Sequence, residues 1–216
     1  MTRFLFCTAF TVFLMLPPQL AAQQAGANAV SKKNPPLAEK IHLNGVGNTG
    51  KISDHLYRGA QPNPDGVRSL QKFGITTIID LRGEHHDESE SEKKQAEQLG
   101  MQFLLIPGDG WSNPADGQIA EFFNVIAQRP QQTVFVHCWL GEDRTGVFVA
   151  AYRIAFDHWT AQQAIAEMHD FHFNAIWHPS MQDYIKHFPE RLATSQALAP
   201  YRSLPASASS ASTSAH

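Results

Sequence analysis

The middle of the chain alternates short apolar runs with stretches that have the period of an amphipathic helix. The apolar runs that predict strands lie at residues 56–58, 75–81, 101–106 and 132–137. The stretches that predict helices between them lie at residues 63–73, 87–99 and 119–126. This alternation is typical of an α/β domain. We therefore predict a central, mostly parallel sheet of about four to five strands that is flanked by helices.

Capping residues mark the ends of the predicted helices. Asn63 followed by proline predicts the start of the first helix, and Gly74 predicts its end. After the last strand, a loop with two glycines leads into an apolar helix that runs to about residue 157. Thr160 and Gln163 form a capping-box pattern that starts the next helix. Pro179 predicts the start of a further helix that runs through residue 188.

Three polar loops follow predicted strands directly. They cover residues 80–82, 107–116 and 138–144. In open α/β sheets, ligands bind beyond the carboxyl ends of the strands. We therefore expect these three loops to meet at one site.

The segment Gly45-Val46-Gly47-Asn48-Thr49-Gly50 matches the glycine fingerprint of dinucleotide-binding proteins. That fingerprint requires a buried strand before it and a helix after it. Only three residues of strand-like character precede this segment, and Lys51-Ile52-Ser53-Asp54 follows it. We therefore predict a plain loop here and no nucleotide cofactor.

The length of 216 residues fits one domain with tails. A short positive start, an apolar run over residues 4–16 and small residues before position 23 form the pattern of a signal peptide. We predict a signal peptide at residues 1–22, a flexible lead-in at 23–44, the folded domain at 45–192 and a disordered Ala/Ser-rich tail at 193–216. The protein would then be exported, either periplasmic or secreted, although a retained membrane anchor stays open as the alternative.

The formal net charge of −3 gives no basic surface of the kind that binds nucleic acid. We expect a monomer. Of the two cysteines, Cys7 lies in the predicted signal peptide, so the exported chain would keep Cys138 alone. A single cysteine cannot form an internal disulfide, and this thiol is therefore either inert or reactive.

The segment His137-Cys138-Trp139-Leu140-Gly141-Glu142-Asp143-Arg144-Thr145-Gly146 favours a reactive thiol. A strand that turns through a glycine loop into a helix presents a row of backbone N–H groups that binds an anion. A helix N-terminus and a nearby guanidinium lower the pKa of a cysteine, so we expect Cys138 to be a thiolate. Arg144 can grip two oxygens of a phosphoryl group. The pattern predicts phosphoryl transfer through a cysteinyl-phosphate without a metal.

A leaving oxygen also needs a proton from a general acid. Asp109 is the first candidate because it lies in a glycine-rich loop 29 residues before the cysteine (138 − 109). Asp143, inside the loop that holds the cysteine, is the second. Asp116 is the third, but its position before the helical stretch at 119–126 favours an N-cap.

The same ten residues resemble the signature of cysteine-dependent protein tyrosine and dual-specificity phosphatases. Leu56-Tyr57-Arg58-Gly59-Ala60-Gln61-Pro62, Ile79-Asp80-Leu81-Arg82, Ile106-Pro107 and residues 164–184 are similar to the small bacterial and atypical dual-specificity members. The resemblance implies Cys138 as nucleophile, Arg144 as phosphate ligand, Thr145 as a hydroxyl that assists the second step and Asp109 as acid. It leaves Asp143 as the alternative acid.

The remaining expectations concern the substrate, which we expect to be a phosphorylated protein or a small phosphate ester. We predict that the substrate contacts Trp139, Leu140, Gly141, Glu142, Asp143 and Arg144, while His137 supports the cysteine from behind. Acidic residues at 142 and 143 should disfavour highly anionic substrates, so an exported phosphoinositide or inositol-phosphate phosphatase is the weaker alternative. A pseudophosphatase that binds phosphate without turnover and a rhodanese-like sulfur carrier are the other rivals. The spacing of the histidines completes no metal site.

Overall fold

The computed structural model describes residues 36–128 and 131–203. The predicted signal peptide at 1–22 and most of the predicted lead-in lie outside these residues. No helix in the described part is long and apolar enough to cross a membrane.

Six strands form one mixed sheet in the described residues. They are β1 (Glu39–Lys40), β2 (Gly50–Lys51), β3 (Leu56–Ala60), β4 (Thr77–Arg82), β5 (Gln102–Gly108) and β6 (Val134–Cys138). Their spatial order is β1-β2-β3-β6-β4-β5. The pairs β3–β6, β6–β4 and β4–β5 are parallel, and the β1–β2 and β2–β3 pairs are antiparallel. The predicted α/β class with a mostly parallel sheet is confirmed, and the two additional strands are two-residue pieces too short to have a sequence period.

Seven helices and one short 3-10 turn complete the described fold. They are α1 (Pro64–Phe73), α2 (His86–Gln98), α3 (Asp116–Gln128), α4 (Asp143–Phe156), α5 (Ala161–Asp170), α6 (Pro179–Lys186) and α7 (Phe188–Thr194), followed by the turn Ala199–Tyr201. The Asn63 side chain caps α1 by accepting from the Gly66 N–H, and Gly74 ends α1 in the left-handed region at φ 103°. Thr160 and Gln163 form the predicted capping box of α5. These boundaries are confirmed because local hydrogen bonds determine them.

Strand alternation divides the core into two layers. Ile79 and Val136 point to the layer that contains α3, α4, α5, α6 and α7. Ile78 and Phe135 point to the opposite layer, which contains α1 and α2. Successive side chains of a strand face opposite sides, so Cys138 lies on the α4 side and His137 on the α2 side. This alternation decides what surrounds each residue of the site.

The folded part begins earlier than the predicted boundary at residue 45. Ala38 is buried, and its backbone N–H donates to Glu167 Oε2 at 2.7 Å. Lys40 donates to the backbone oxygen of Asp170 at 2.7 Å. Residues 36–44 are therefore part of the fold, because a buried ion pair between Arg153 and Glu167 gives them a polar anchor that no local pattern reveals.

The folded part also ends later than the predicted boundary at residue 192. Leu198 and Tyr201 are buried. The Tyr201 ring packs edge-on against Phe123 at 5.1 Å, and its hydroxyl donates to the Ala120 oxygen at 3.1 Å. The expectation of disorder was wrong for residues 193–203, because two buried large side chains and the bonds from Arg202 to the Leu192 and Ser195 oxygens hold this segment.

Two local predictions have different outcomes. Residues 45–50 form a loop that ends in the two-residue strand β2, as predicted, and not a strand–loop–helix unit. Asp116 is the first residue of α3, but its carboxylate accepts from Arg191 Nε at 3.0 Å. It therefore ties α3 to α7 and lies away from the cleft described below.

Candidate active site

A cleft of about 670 Å³ lies at the carboxyl ends of β4, β5 and β6. Its walls come from the β4–α2 loop, the β5–α3 loop, the β6–α4 loop and the start of α6. The residues that line it are Gly83, Glu84, His85, Pro107, Gly108, Asp109, Gly110, Trp111, Cys138, Trp139, Leu140, Asp143, Arg144 and His178. Two of the three loops expected to meet, 107–116 and 138–144, contribute lining residues. The expectation was wrong for residues 80–82, because they belong to the buried strand β4, and residues 83–85 that follow them line the cleft instead.

Cys138 is the last residue of β6 and the first of the cysteine loop, which we define as residues 138–144. Its thiol is free and only 4% exposed, at the floor of the cleft. The loop turns through Gly141, whose φ of +70° is in the left-handed region. A Cβ atom there would lie 2.3 Å from the Gly59 oxygen of β3, so only glycine lets the loop pack so closely against the sheet.

Arg144 lies in the first turn of α4, and its guanidinium is held by Glu84. Arg144 Nη1 donates to Glu84 Oε2 at 2.8 Å, and Nη2 donates to Oε1 at 2.6 Å. A further bond from Nη1 to the Gly108 oxygen measures 3.1 Å. Burial lowers the pKa of Arg144, but the bonds to Glu84 and the nearby Cys138 outweigh that effect and raise it. The same bonds lower the pKa of Glu84. Sequence reasoning missed Glu84, whose only signal was its place two residues after the end of a buried strand.

We expect Glu84→Ala to lower kcat/KM about tenfold, because the bidentate pair fixes the direction of the guanidinium. Glu84→Gln should fall between wild type and Glu84→Ala, since the amide keeps one acceptor. Steady-state kinetics on an aryl phosphate measure both variants, with the exposed Glu90→Ala on α2 as control. An increase in activity would mean instead that the carboxylate competes with substrate for Arg144.

Asp109 lines the cleft from the β5–α3 loop, but its carboxylate is turned into its own loop. Oδ1 accepts from the Trp111 N–H at 2.6 Å, and Oδ2 accepts from Ser112 Oγ at 2.7 Å. The Trp111 N–H, followed by the Ser112 hydroxyl, lowers the pKa of this exposed carboxyl. To donate a proton, Asp109 must leave these bonds, which requires a rearrangement of its loop.

Asp143, the alternative acid, is held from the other side of the cleft. Its Oδ1 accepts from the Asn174 N–H at 3.0 Å, and its Oδ2 lies 3.5 Å from His178 Nε2. These contacts tie the start of α4 to the segment between α5 and α6. In this conformation, the Asp143 carboxylate therefore already makes a structural contact.

Thr145 follows the arginine and is fully buried. Among the described residues its hydroxyl has no hydrogen-bond partner. Burying a hydroxyl without a hydrogen-bond partner costs folding free energy. This hydroxyl is therefore suited to donate a hydrogen bond to a reacting group.

His137 lies behind the cysteine on the α2 side of the sheet. Its Nδ1 lies 3.1 Å from the backbone oxygen of Cys138, and its Nε2 lies 2.9 Å from Glu92 Oε1. Both neighbours are oxygen atoms, but Glu92 Oε1 approaches Nε2 outside hydrogen-bond geometry, so it acts on the imidazole as a nearby negative charge. Burial lowers the pKa of His137, but Glu92 and then Asp80 outweigh burial and raise it. The support that we expected His137 to give the cysteine thus acts through the backbone of Cys138.

A buried ion cluster surrounds His137. Asp80, Glu92 and His137 place their ligand atoms within 4.8 Å of one another. Arg82 Nη2 lies 2.7 Å from Asp80 Oδ2 and 3.1 Å from Glu92 Oε2. The guanidinium supplies the positive charge for the two carboxylates, and the cluster joins β4, β6 and α2.

The raised pKa of His137 predicts a pH-dependent stability. Its folded pKa lies above an unfolded value of about 6.5, so its stabilising effect is complete below that pH and is lost as pH rises through the folded pKa. We expect Glu92→Gln to lower the free energy of unfolding more at pH 6 than at pH 9, by about 1.4 kcal/mol for each pKa unit of the raise. Urea unfolding at both pH values measures this, and Glu90→Gln is the control. A loss equal at both values would contradict a charged His137.

The predicted substrate contacts divide into two groups. Trp139, Leu140, Asp143 and Arg144 line the cleft, whereas Gly141 and Glu142 are not among its lining residues. Two aromatic pairs stand at the rim. Trp139 stacks on His85 at 5.0 Å, and Trp111 packs against His178 at 5.1 Å.

Together these features can bind and transfer a phosphoryl group. A free thiol, an oriented guanidinium and carboxylates share one cleft at a helix N-terminus. This combination is the chemistry of a cysteine-dependent phosphatase, a phosphoric monoester hydrolase.

Comparison with known proteins agrees with that class. The family model described as a DSP-PTPase phosphatase fused to NAD+ kinase matches residues 39–183, and the chain belongs to this family. The dual specificity protein phosphatase TpbA of Pseudomonas aeruginosa is 26% identical over 167 residues, which are 77% of this chain and 70% of that protein. Human dual specificity protein phosphatase 26 is 28% identical over 121 residues, which are 53% of this chain and 55% of that protein.

Solved structures show the same fold. The structure of a Cys-to-Ser variant of TpbA with phosphotyrosine has a TM-score of 0.60 and 24% identity, covering 71% of this chain and 91% of that one. The catalytic core of the PP-IP phosphatase SIW14 of S. cerevisiae, with citrate, has a TM-score of 0.59 and 17% identity, covering 75% and 100%. These structures agree in fold, and the family model shows that the protein is a dual-specificity-type phosphatase, so the prediction of that family is confirmed.

Proposed function

We propose that this phosphatase hydrolyses phosphotyrosine and related phosphomonoesters of proteins through a cysteinyl-phosphate on Cys138. The observation that carries the proposal is the free Cys138 thiol beside the Glu84-oriented guanidinium of Arg144 at the floor of one cleft. Because Arg144 and the loop amides supply the positive field, the mechanism uses no metal ion.

The reaction has two steps. The Cys138 thiolate attacks phosphorus, the bond from phosphorus to the substrate oxygen breaks, and Asp109 gives its proton to that oxygen. Water then attacks the cysteinyl-phosphate, Asp109 takes a proton from the water, and Cys138 leaves as a thiolate. The Thr145 hydroxyl assists this departure by donating to the sulfur. Support for Thr145 comes from its buried hydroxyl, which lacks another partner among the described residues.

The charge of the cleft supports an aryl phosphate over an inositol polyphosphate. In the described part of the chain, three carboxylates line the cleft, namely Glu84, Asp109 and Asp143, against the single guanidinium of Arg144. Each additional phosphate of a substrate would be repelled by this excess of negative charge. The aromatic pairs at the rim offer apolar contact to a phenyl ring.

A substrate panel tests the proposal. Phosphotyrosine and phosphoserine peptides, a phosphoinositide and an inositol polyphosphate are compared by kcat/KM in the presence of EDTA, with Cys138→Ser as the background. We expect the phosphotyrosine peptide to be the best substrate and EDTA to have no effect. Preference for the inositol polyphosphate, or a strict metal requirement, would overturn the proposal.

The general acid is tested separately. We expect Asp109→Asn to lower kcat about 10²-fold or more on phenyl phosphate and far less on p-nitrophenyl phosphate, whose leaving oxygen needs no proton. Asp109→Asn should also remove the basic limb of the pH profile. Asp143→Asn is the matched comparison, and the same pattern in that variant would place the acid in the cysteine loop.

We also propose that the protein is exported. Support comes from the positive start, apolar run and small residues within 1–22, all outside the described residues. Expression of the full chain in a host with a periplasm, followed by mass spectrometry of the mature N-terminus, tests this. A cytoplasmic chain that keeps residue 1 would contradict export, and an intact membrane-bound chain would indicate a retained anchor.

A further inference from the structure

The backbone oxygens of the cysteine loop bond to residues outside the cleft. The Trp139 oxygen accepts from the Gln61 N–H at 3.1 Å. The Gly141 oxygen accepts from Arg58 Nη2 at 2.6 Å and from Asn48 Nδ2 at 3.1 Å. The Leu140 oxygen lies 3.4 Å from the same Asn48 nitrogen. Three successive carbonyls are thus turned towards the segment that contains residues 48–61.

This arrangement determines where the amides of the loop point. In a trans peptide the N–H of one residue points opposite to the carbonyl of the residue before it. The amides of Leu140, Gly141 and Glu142 therefore point away from Asn48 and Arg58, towards the side of the loop that holds Cys138. In the part of the chain that the structure describes, none of these three amides donates an internal hydrogen bond. They are free to bind phosphoryl oxygens.

Arg58 is a buried cation behind this loop. It is fully buried in β3 and stacks on Phe171, with its guanidinium carbon 4.1 Å from the ring centroid. Within the described residues its Nε and Nη1 atoms have no hydrogen-bond partner, so the bond to the Gly141 oxygen is its main anchor. Burial lowers the pKa of Arg58 to about 10, which leaves it charged at neutral pH. Glu167 and Cys138 are the negative groups that act most strongly on it.

Asn48 comes from the glycine loop at 45–50 that resembles a dinucleotide fingerprint. It has a positive φ of 47°, and its Nδ2 also donates to the Phe171 oxygen at 3.2 Å. Within the described residues, the three hydrogen-bond acceptors of this amide nitrogen are carbonyl oxygens, which require a donor. Gly47 accepts from the Ala60 N–H at 2.8 Å, and this bond fixes the glycine loop on β3.

We propose that Asn48 and Arg58 are positioning residues that hold the cysteine loop in its anion-binding form. They act through the loop carbonyls and not on the substrate. The proposal rests on the proposed function, since it assigns the residues that prepare the same site. The glycine loop therefore positions the cysteine loop and does not bind a nucleotide.

The test compares substitutions at Asn48 with a substitution at the nearby Asn44. Asn48→Asp places a carboxylate against carbonyl oxygens, and Asn48→Gly removes the donor while tolerating the positive φ. Asn44→Asp makes the same chemical change at an exposed position and is the control. Tungstate affinity by calorimetry, kcat/KM on p-nitrophenyl phosphate and melting temperature are measured for each full-length variant. We expect Asn48→Asp to bind tungstate about tenfold or more weakly, Asn48→Gly about threefold or more weakly, and Asn44→Asp as wild type does.

Arg58 is tested by the same tungstate titration. We expect Arg58→Met to bind tungstate more weakly than wild type because the bond to the Gly141 oxygen is lost. Arg58→Lys, which keeps the charge and a donor, should recover part of that affinity. If the Arg58 variants do not fold, the Asn48 series decides alone.

Different results would overturn the positioning roles and the proposed function. Asn48 variants that melt like Asn44→Asp and bind tungstate within twofold of it would overturn the positioning roles even in an active enzyme. A wild-type chain that hydrolyses no phosphomonoester, yet loses tungstate in the Asn48 series, would overturn the proposed function alone.

Discussion

Replacement of Cys138 by serine should abolish turnover, with a loss in kcat of at least about 10⁴-fold. A serine hydroxyl is not ionised at neutral pH, so it cannot attack phosphorus as the thiolate does. The guanidinium of Arg144 and the loop amides remain in this variant, and we therefore expect it to keep its affinity for tungstate and phosphate. Hydrolysis of an aryl phosphate and calorimetric titration measure the two properties separately.

The combination of lost turnover and kept affinity is the diagnostic result. Wild type alkylated at Cys138 is the matched control, because it should lose both properties by blocking the cleft. Turnover of Cys138→Ser above the uncatalysed background would contradict the nucleophile assignment. Loss of tungstate affinity with an unchanged melting temperature would mean that the thiol itself is needed for anion binding.

Replacement of Arg144 by lysine should lower kcat about 10²–10³-fold, although the charge is kept. An ammonium group cannot make the paired, planar hydrogen bonds of a guanidinium to two phosphoryl oxygens. It also cannot keep both bonds to the Glu84 carboxylate. Because the charge on those oxygens grows during transfer, kcat should suffer more than KM.

The control for this variant is Arg68→Lys, since Arg68 is an exposed arginine of α1 that pairs with Asp65. It should behave as wild type in kinetics and in thermal melting. If Arg144→Lys changed KM alone, Arg144 would contribute only to ground-state binding. If it retained full kcat/KM, charge without geometry would suffice in this cleft.

Much of the fold could be predicted because local rules decide it. The helix cap at Asn63, the stop at Gly74 and the capping box at Thr160 each depend on residues within four positions of one another. The buried central strands can be predicted from the sequence because they are short and apolar. The two ends of the folded part could not be predicted, since Ala38 and Tyr201 are held by partners that lie 129 and 81 residues away in the chain.

The sequence by itself determined the fold class, the family and the loop in which thiol, helix start and guanidinium stand at fixed spacing. Those features are local, because a strand, a glycine turn and a helix N-terminus are built from consecutive residues. Only the tertiary structure decided the partners of that loop. Glu84 reaches Arg144 from another loop, Glu92 reaches His137 from α2, and Asn48 and Arg58 hold the loop carbonyls from β3 and its neighbouring loop. Such contacts depend on which elements lie beside each other in the sheet and on how closely the layers pack, and the order of neighbouring residues encodes neither.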